Sequence, residues 1–166
     1  MEQVFGPLRF APVDLSRHEE ICRRFRADSF AVSFGDASRF HEEDGLGGDR
    51  YVEWLRGKQA RDPASVVHVW QGDEIIGQME LGRLRGLEGV GYVNLYYLAP
   101  AHRGRGLAKH LDEYAASYLR GLGFTKAQLS VSPSNARAIA YYQKMGWRDL
   151  GPRADEPSVH SMEKDL

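Results

Sequence analysis

The sequence has a single cysteine, Cys22, among its 166 residues. No internal disulfide can form, which excludes a disulfide-held scaffold and suits a reducing compartment. No apolar run reaches the ~18 residues that would suggest a membrane span. The opening MEQVFGPLRF lacks the basic head and continuous apolar core of a signal peptide, so a cytoplasmic chain is expected. Six histidines (18, 41, 68, 102, 110 and 160) make no HExxH pair, and one cysteine makes no CxxC. A protein-held metal centre is therefore not expected. Neither sign of charge dominates: 22 Lys and Arg against 23 Asp and Glu leave a net −1. Charge thus gives no reason to expect nucleic acid or an anionic membrane as the main partner. Internal repeats and low-complexity tracts are lacking too.

What is present is an ordinary globular composition, 42% apolar and 27% charged. A chain of this length buries about 70% of its unfolded surface, so one domain over residues 1–166 is expected. Leu8–Pro12 reads as a short edge strand limited by its prolines. Residues 14–31 turn helical, with Ile21, Phe25 and Val32 near one face. The stretch 34–49 mixes glycine, acids and aromatics and reads as a loop or broken helix. Helical character resumes over Arg50–Ala60 and ends at Asp62-Pro63. Val66–Trp70, Ile75–Leu84 and Val90–Leu98 then form three strands joined by Gly72-Asp73 and Gly86–Gly89, an antiparallel meander.

The next connection is longer. Leu107, Leu111, Tyr114/Ala115, Tyr118 and Leu122 recur at helical spacing, predicting a helix over 104–121. A strand over 126–132 follows, then a helix over 135–145 stopped by Gly146, then two final strands near 147–150 and 159–164. Strand 90–98, helix 104–121 and strand 126–132 form a right-handed β-α-β crossover with its two strands parallel. The fold class is therefore α+β: a mixed, mostly antiparallel sheet with helices on both faces. Ligands of such crossovers gather beyond the carboxyl ends of the strands.

At one of those ends stands Pro100-Ala101-His102-Arg103-Gly104-Arg105-Gly106-Leu107-Ala108. Two glycines let the backbone approach a ligand, and the first amides of the new helix lack intrahelical partners. Arg103, Arg105 and Lys109 add positive charge. This is an anion cradle suited to a pyrophosphate, against the plain alternative of a tight turn with basic solvent-facing residues. The dinucleotide fingerprint would need a third glycine where Lys109 stands, and no P-loop occurs. One helix and one strand later comes NARAIAYYQKMGW, in which Asn135 is placed as a helix cap and Gly146 as a left-handed stop.

Together these two segments resemble the GCN5-related N-acetyltransferase (GNAT) superfamily. Its [Q/R]-x-x-G-x-[G/A] turn is met by Arg103, Gly106 and Ala108. Its N-x-x-A-x-x-x-Y-x-x-x-G-[F/W] run is met by Asn135, Ala138, Tyr142, Gly146 and Trp147. The resemblance implies a GNAT-like sheet and acetyl-CoA as cosubstrate, with no metal. Its pyrophosphate would lie on the turn formed by Arg103, Gly104, Arg105, Gly106, Leu107 and Ala108. The pantetheine arm would run along the end of strand 90–98, hydrogen-bonding the backbone near Leu98. A backbone N–H near Tyr96 or Tyr97 would polarise the thioester carbonyl. Asn135 and Tyr142 would complete the coenzyme site.

Direct transfer to an amine, without an acyl-enzyme, is implied as well, and Cys22 reads as a packing residue. Tyr142 aligns with the tyrosine assigned to the departing thiolate. Full proton transfer from a phenol to a thiolate is uphill by roughly 2 kcal/mol at reference pKa values, so hydrogen bonding to the thiolate is an equal alternative. Many members carry a glutamate in the strand matching 90–98, and this sequence has none there. With the turn centred near Leu87, Asn94 would face Glu80 across the hairpin. Glu80 is then a candidate general base, directly or through a water, with Asn94 orienting it; a charge on a solvated strand face is the plain alternative.

His41-Glu42-Glu43-Asp44, with Tyr51, Trp54, Tyr92 and Tyr96, would suit a cationic amine acceptor, against the reading of a solvated loop and core aromatics. The function implied is an N-acetyltransferase acting on a small-molecule or peptide amine. The missing strand glutamate leaves room for a non-catalytic acyl-CoA-binding sensor or partner module. The acceptor, the acyl-chain length and a homodimer are left open.

Overall fold

The computed structural model describes residues 2–35, 38, 40, 48–84 and 86–166. Strands β1 (Gln3–Phe5) and β2 (Leu8–Pro12) precede helix α1 (Leu15–Phe34) and helix α2 (Asp49–Arg61). Strands β3 (Val66–Gln71), β4 (Glu74–Arg83) and β5 (Val90–Leu98) follow, then helix α3 (Ala108–Gly121), strand β6 (Lys126–Val131) and helix α4 (Ala136–Lys144). Strands β7 (Arg148–Pro152) and β8 (His160–Asp165) end the chain. The sheet order is β1-β2-β3-β4-β5-β6-β8-β7. Val90–Val93 pair in parallel with Lys126–Leu129. The ladders β1–β2, β2–β3, β3–β4, β6–β8 and β7–β8 are antiparallel. This is the mixed, mostly antiparallel α+β sheet expected from the sequence.

Two compact units divide the chain: residues 1–80 with 95–114, and residues 81–94 with 115–166. Their boundaries fall inside β4, β5 and α3, so neither unit is one contiguous stretch. In the first unit, Asp14 caps α1 by accepting from the Ser16 amide at 3.0 Å. The helix ends on Gly35, which takes a left-handed φ of 90° and so avoids the Cβ clash of other residues. Along α2 the buried residues Tyr51, Val52, Leu55 and Lys58 recur at three- and four-residue spacing, one face of a helix. Tyr51, Val52 and Leu55 join Val13, Cys22, Phe30, Phe40 and Val66 in a core. Phe25, Leu95 and Tyr97 form a second cluster. Gly77 is required by close approach: a Cβ there would sit 2.5 Å from the Tyr97 carbonyl oxygen.

In the second unit, Ala127, Leu129 and Val131 alternate inward along β6, the period-two pattern of a strand. Gly91 lets β5 lie close to α3, since a Cβ there would meet Leu119 Cδ2 at 2.7 Å. Phe124 lies under the Arg83 guanidinium, 5.3 Å from ring centroid to Cζ.

One boundary differs from the sequence reading in a way that matters. Helix α3 starts at Ala108, not at residue 104. Gly104 and Gly106 take φ of 74° and 76°, left-handed values that no right-handed helix accommodates. The turn before the helix is correspondingly longer. No described helix is long and apolar enough to cross a membrane.

Candidate active site

The turn between β5 and α3 is built within the first unit. Beyond Leu98, a short 3-10 segment at Pro100–His102 leads to Arg103. Arg103 Nε donates to the Leu98 carbonyl at 2.7 Å, and its terminal nitrogen to Asp28 Oδ2 at 3.0 Å. The Tyr97 hydroxyl donates to the same Asp28 oxygen at 2.6 Å. On the far side, the Tyr96 hydroxyl donates to the Ala108 carbonyl at 2.5 Å. The turn is thus tied down at both ends, with Gly104, Arg105, Gly106 and Lys109 exposed between and beside the ties. A Cβ at Gly106 would meet no heavy atom within 4 Å. Open space lies over that backbone, at the head of a 14-residue helix whose first amides have no partner inside it. A diphosphate needs such space, donors and charge.

Several expected coenzyme residues therefore divide by role. Gly104, Arg105 and Gly106 form the open surface, and Leu107 is buried beneath it. Arg103, a phosphate ligand by the sequence reading, directs Nε to Leu98 and one terminal nitrogen to Asp28. The Leu98 carbonyl, expected beside the pantetheine arm, accepts from Arg103.

Glu80 does not lie on a solvated strand face. It is wholly buried in the first unit, 0% exposed. Tyr51 Oη donates to Glu80 Oε2, and Gln78 Nε2 donates to the same oxygen at 2.9 Å and to Tyr51 Oη at 2.8 Å. His68 Nε2 lies 2.9 Å from Gln78 Oε1, and Cys22 Sγ lies 3.6 Å from His68 Nε2. Burial raises the Glu80 pKa, opposed by the nearby Arg26 charge and by the Tyr51 and Gln78 hydrogen bonds. Burial also lowers His68 to about 4 and raises Cys22 to about 12. A carboxyl whose pKa is raised by burial is a stronger proton acceptor than a solvated one. Cys22 is an inert core thiol.

In the second unit, Asn135 Oδ1 accepts from the Ala138 amide at 3.3 Å and caps α4. Gly146 takes a φ of 96° after that helix. The half-buried Tyr142 ring meets Trp147 edge-on, centroids 6.0 Å apart, and its carbonyl accepts from the Trp147 amide at 2.9 Å. Asn94 belongs to this unit, and its Oδ1 is buried without a hydrogen-bond partner among the described residues. Glu80 finds its hydrogen bonds in Tyr51 and Gln78 of the first unit.

Of the aromatic candidates, Trp54 is 41% exposed and stacks on Tyr51, while Tyr92 Oη lies 2.7 Å from Ser130 Oγ. The acidic patch at 41–44 lies outside the described residues. Asp28, His68 and Gln78 escaped the sequence reading as site residues, and Tyr51 entered it only as an aromatic beside the acceptor. One signal was available: Gln78 and Glu80 stand two apart in the otherwise apolar stretch 75–82 of β4, with His68 in register with Gln78. Polar residues at that spacing share a face.

Residues 23–147 match the acetyltransferase (GNAT) family. The chain belongs to that family. Among curated relatives of this GNAT protein, the mycothiol acetyltransferase of Streptomyces scabiei (strain 87.22) is 27% identical over 112 residues, 68% of this chain and 36% of the relative. The mycothiol acetyltransferase of Corynebacterium glutamicum (strain R) is 32% identical over 88 residues, 51% of this chain and 28% of the relative. The GNAT chain thus spans about a third of the length of the curated relatives it matches. Among solved structures, the PaiA N-acetyltransferase of Thermoplasma acidophilum in complex with coenzyme A superposes with a TM-score of 0.76 at 15% identity, covering 97% of this chain and 100% of that one. The spermidine N-acetyltransferase of Vibrio cholerae, in complex with CoA and spermine, gives 0.73 at 18% identity, covering 96% and 95%. These likenesses establish the fold.

Proposed function

We propose that this GNAT chain is an acetyl-CoA-dependent N-acetyltransferase acting on a primary amine by direct attack. The observation that carries the reading is the turn at Gly104 and Gly106, tied at both ends and open above. It supports a role as a diphosphate cradle, with Arg105, Lys109 and the α3 amides as its positive face. Arg103 holds the cradle in shape through Leu98 and Asp28. A backbone N–H near Tyr96 or Tyr97 is assigned to the thioester carbonyl.

The amine nitrogen forms a bond to the acetyl carbon as the carbon–sulfur bond breaks. The ammonium proton goes to Glu80, directly or through a water. Tyr142, assigned through its motif position, hydrogen-bonds or protonates the departing thiolate. The inert state of Cys22 agrees with a route that has no acyl-enzyme. The relatives' names support a small-molecule amine as acceptor class.

Calorimetric titration with acetyl-CoA and free-thiol release across a panel of primary amines test this reading. Saturable binding and transfer to at least one amine are expected. No heat on well-folded protein would refute it. The complete burial of Glu80 favours one competing reading, a non-catalytic acyl-CoA-binding module. Binding without transfer to any amine selects that reading.

A further inference from the structure

Glu80 is faced by titratable groups from two other elements, Cys22 and Arg26 on α1 and Tyr51 and Lys58 on α2, while His68 on β3 reaches it only through Gln78. The hydrogen-bond polarity among them follows from chemistry. Gln78 Nε2 faces the Glu80 carboxylate, which accepts when ionised, so the amide nitrogen must point there and Gln78 Oε1 must point to His68. An amide oxygen only accepts. His68 is neutral near neutrality, so the proton on its ring resides at Nε2, leaving Nδ1 bare. Nδ1 is indeed buried with no partner among the described residues. Tyr51 accepts from Gln78 and donates to Glu80. Glu80 Oε2 therefore receives two donors, while Oε1 is buried with no hydrogen-bond partner among the described residues.

We propose that His68, Gln78 and Tyr51 form a one-way hydrogen-bond chain ending on Glu80 Oε2, which makes Oε1 the atom that takes the acceptor amine's proton. A proton on Oε2 would point against two donors. On Oε1 it meets none. Tyr51 and Gln78 are thereby positioning residues: they orient the carboxylate and stabilise its ionised form. Arg26 acts in the same sense by its charge, and Lys58 does so while protonated. The inference rests on the reading of Glu80 as general base.

The test needs no acceptor for its first arm. Protein labelled with 13C at glutamate carboxyls is titrated by NMR, the Glu80 signal being assigned by its loss in Glu80→Gln. Removing donors destabilises the ionised form, so Tyr51→Phe and Gln78→Met are each expected to move the Glu80 midpoint up by about one pH unit, a tenfold change in its ionisation constant. Both variants keep a bulky side chain, and a thermal melt confirms that each is folded.

The second arm follows thiol release from acetyl-CoA with the best amine of the panel. The acid limb of kcat/KM is expected to move with the NMR midpoint, while KM for acetyl-CoA stays unchanged. Midpoints that stay within about 0.3 units of wild type in both folded variants would overturn the chain. Midpoints that move while the acid limb and the Glu80→Gln rate stay at wild-type values would overturn Glu80 as the base, a distinguishable failure.

Discussion

Replacing Gly106 by alanine separates backbone strain from ligand exclusion. Gly106 sits at a φ of +76° with open space where a Cβ would project. The free protein suffers only the cost of a non-glycine residue in the left-handed region, about 1–2 kcal/mol. For a chain of this size that corresponds to a melting-temperature drop of roughly 2–8 °C. The bound state suffers more, because the new methyl occupies the space assigned to the diphosphate. Loss of one charge-assisted amide–phosphate bond costs about 1.5–3 kcal/mol, or roughly a ten- to hundredfold weaker Kd.

Gly35→Ala is a matched control. Gly35 has a φ of +90° and likewise nothing within 4 Å of a Cβ, but it ends α1 and does not belong to the turn. Calorimetry with coenzyme A and thermal melts on both variants decide the matter. Similar melting losses with weakened binding only in Gly106→Ala are expected. Wild-type affinity in Gly106→Ala would refute the cradle; equal loss in Gly35→Ala would show that strain alone weakens binding.

Gly77→Ala places a methyl 2.5 Å from the Tyr97 carbonyl; backbone must shift, and denaturant melts should show a loss of about 1–3 kcal/mol. Cys22, raised to about 12 by burial, should resist thiol reagents at pH 8 in folded protein and react on unfolding, and Cys22→Ala should retain thiol-release activity. His68 is lowered from 6.5 to about 4, so the unfolded chain binds its proton first. Its contribution is complete above pH 6.5 and is lost as pH falls toward 4, amounting to about 3 kcal/mol. Glu80, raised above 4.5, acts in the opposite sense, losing its contribution as pH rises past that value. Chemical denaturation from pH 7 to 4 should therefore show a steeper acid loss in wild type than in His68→Gln. Equal pH slopes would contradict the neutral buried ring.

Features set by short-range rules were readable without a structure. Helical spacing marked α1, α2 and α3, because one buried face imposes its period on the chain. Asn135 and Gly146 marked the ends of α4, because capping and left-handed stops depend on a few adjacent residues. The glycine turn after β5 was likewise visible. The start of α3 was misplaced because glycine spacing alone does not say which φ each glycine adopts.

Tertiary structure decided how the acidic and basic side chains are employed. Arg103 finds Asp28 75 residues away, and Glu80 finds Tyr51 29 residues away. No local pattern encodes those partners. Alternation placed Gln78 and Glu80 on one face of β4, but burial of that face depended on α1 and α2 packing over it. Sequence therefore determined the order of elements and the place of the glycine turn, through steric limits on neighbouring residues. Folding alone decided that Glu80 is buried and which of its oxygens receives donors, because desolvation and hydrogen-bond geometry depend on groups brought together from separate segments.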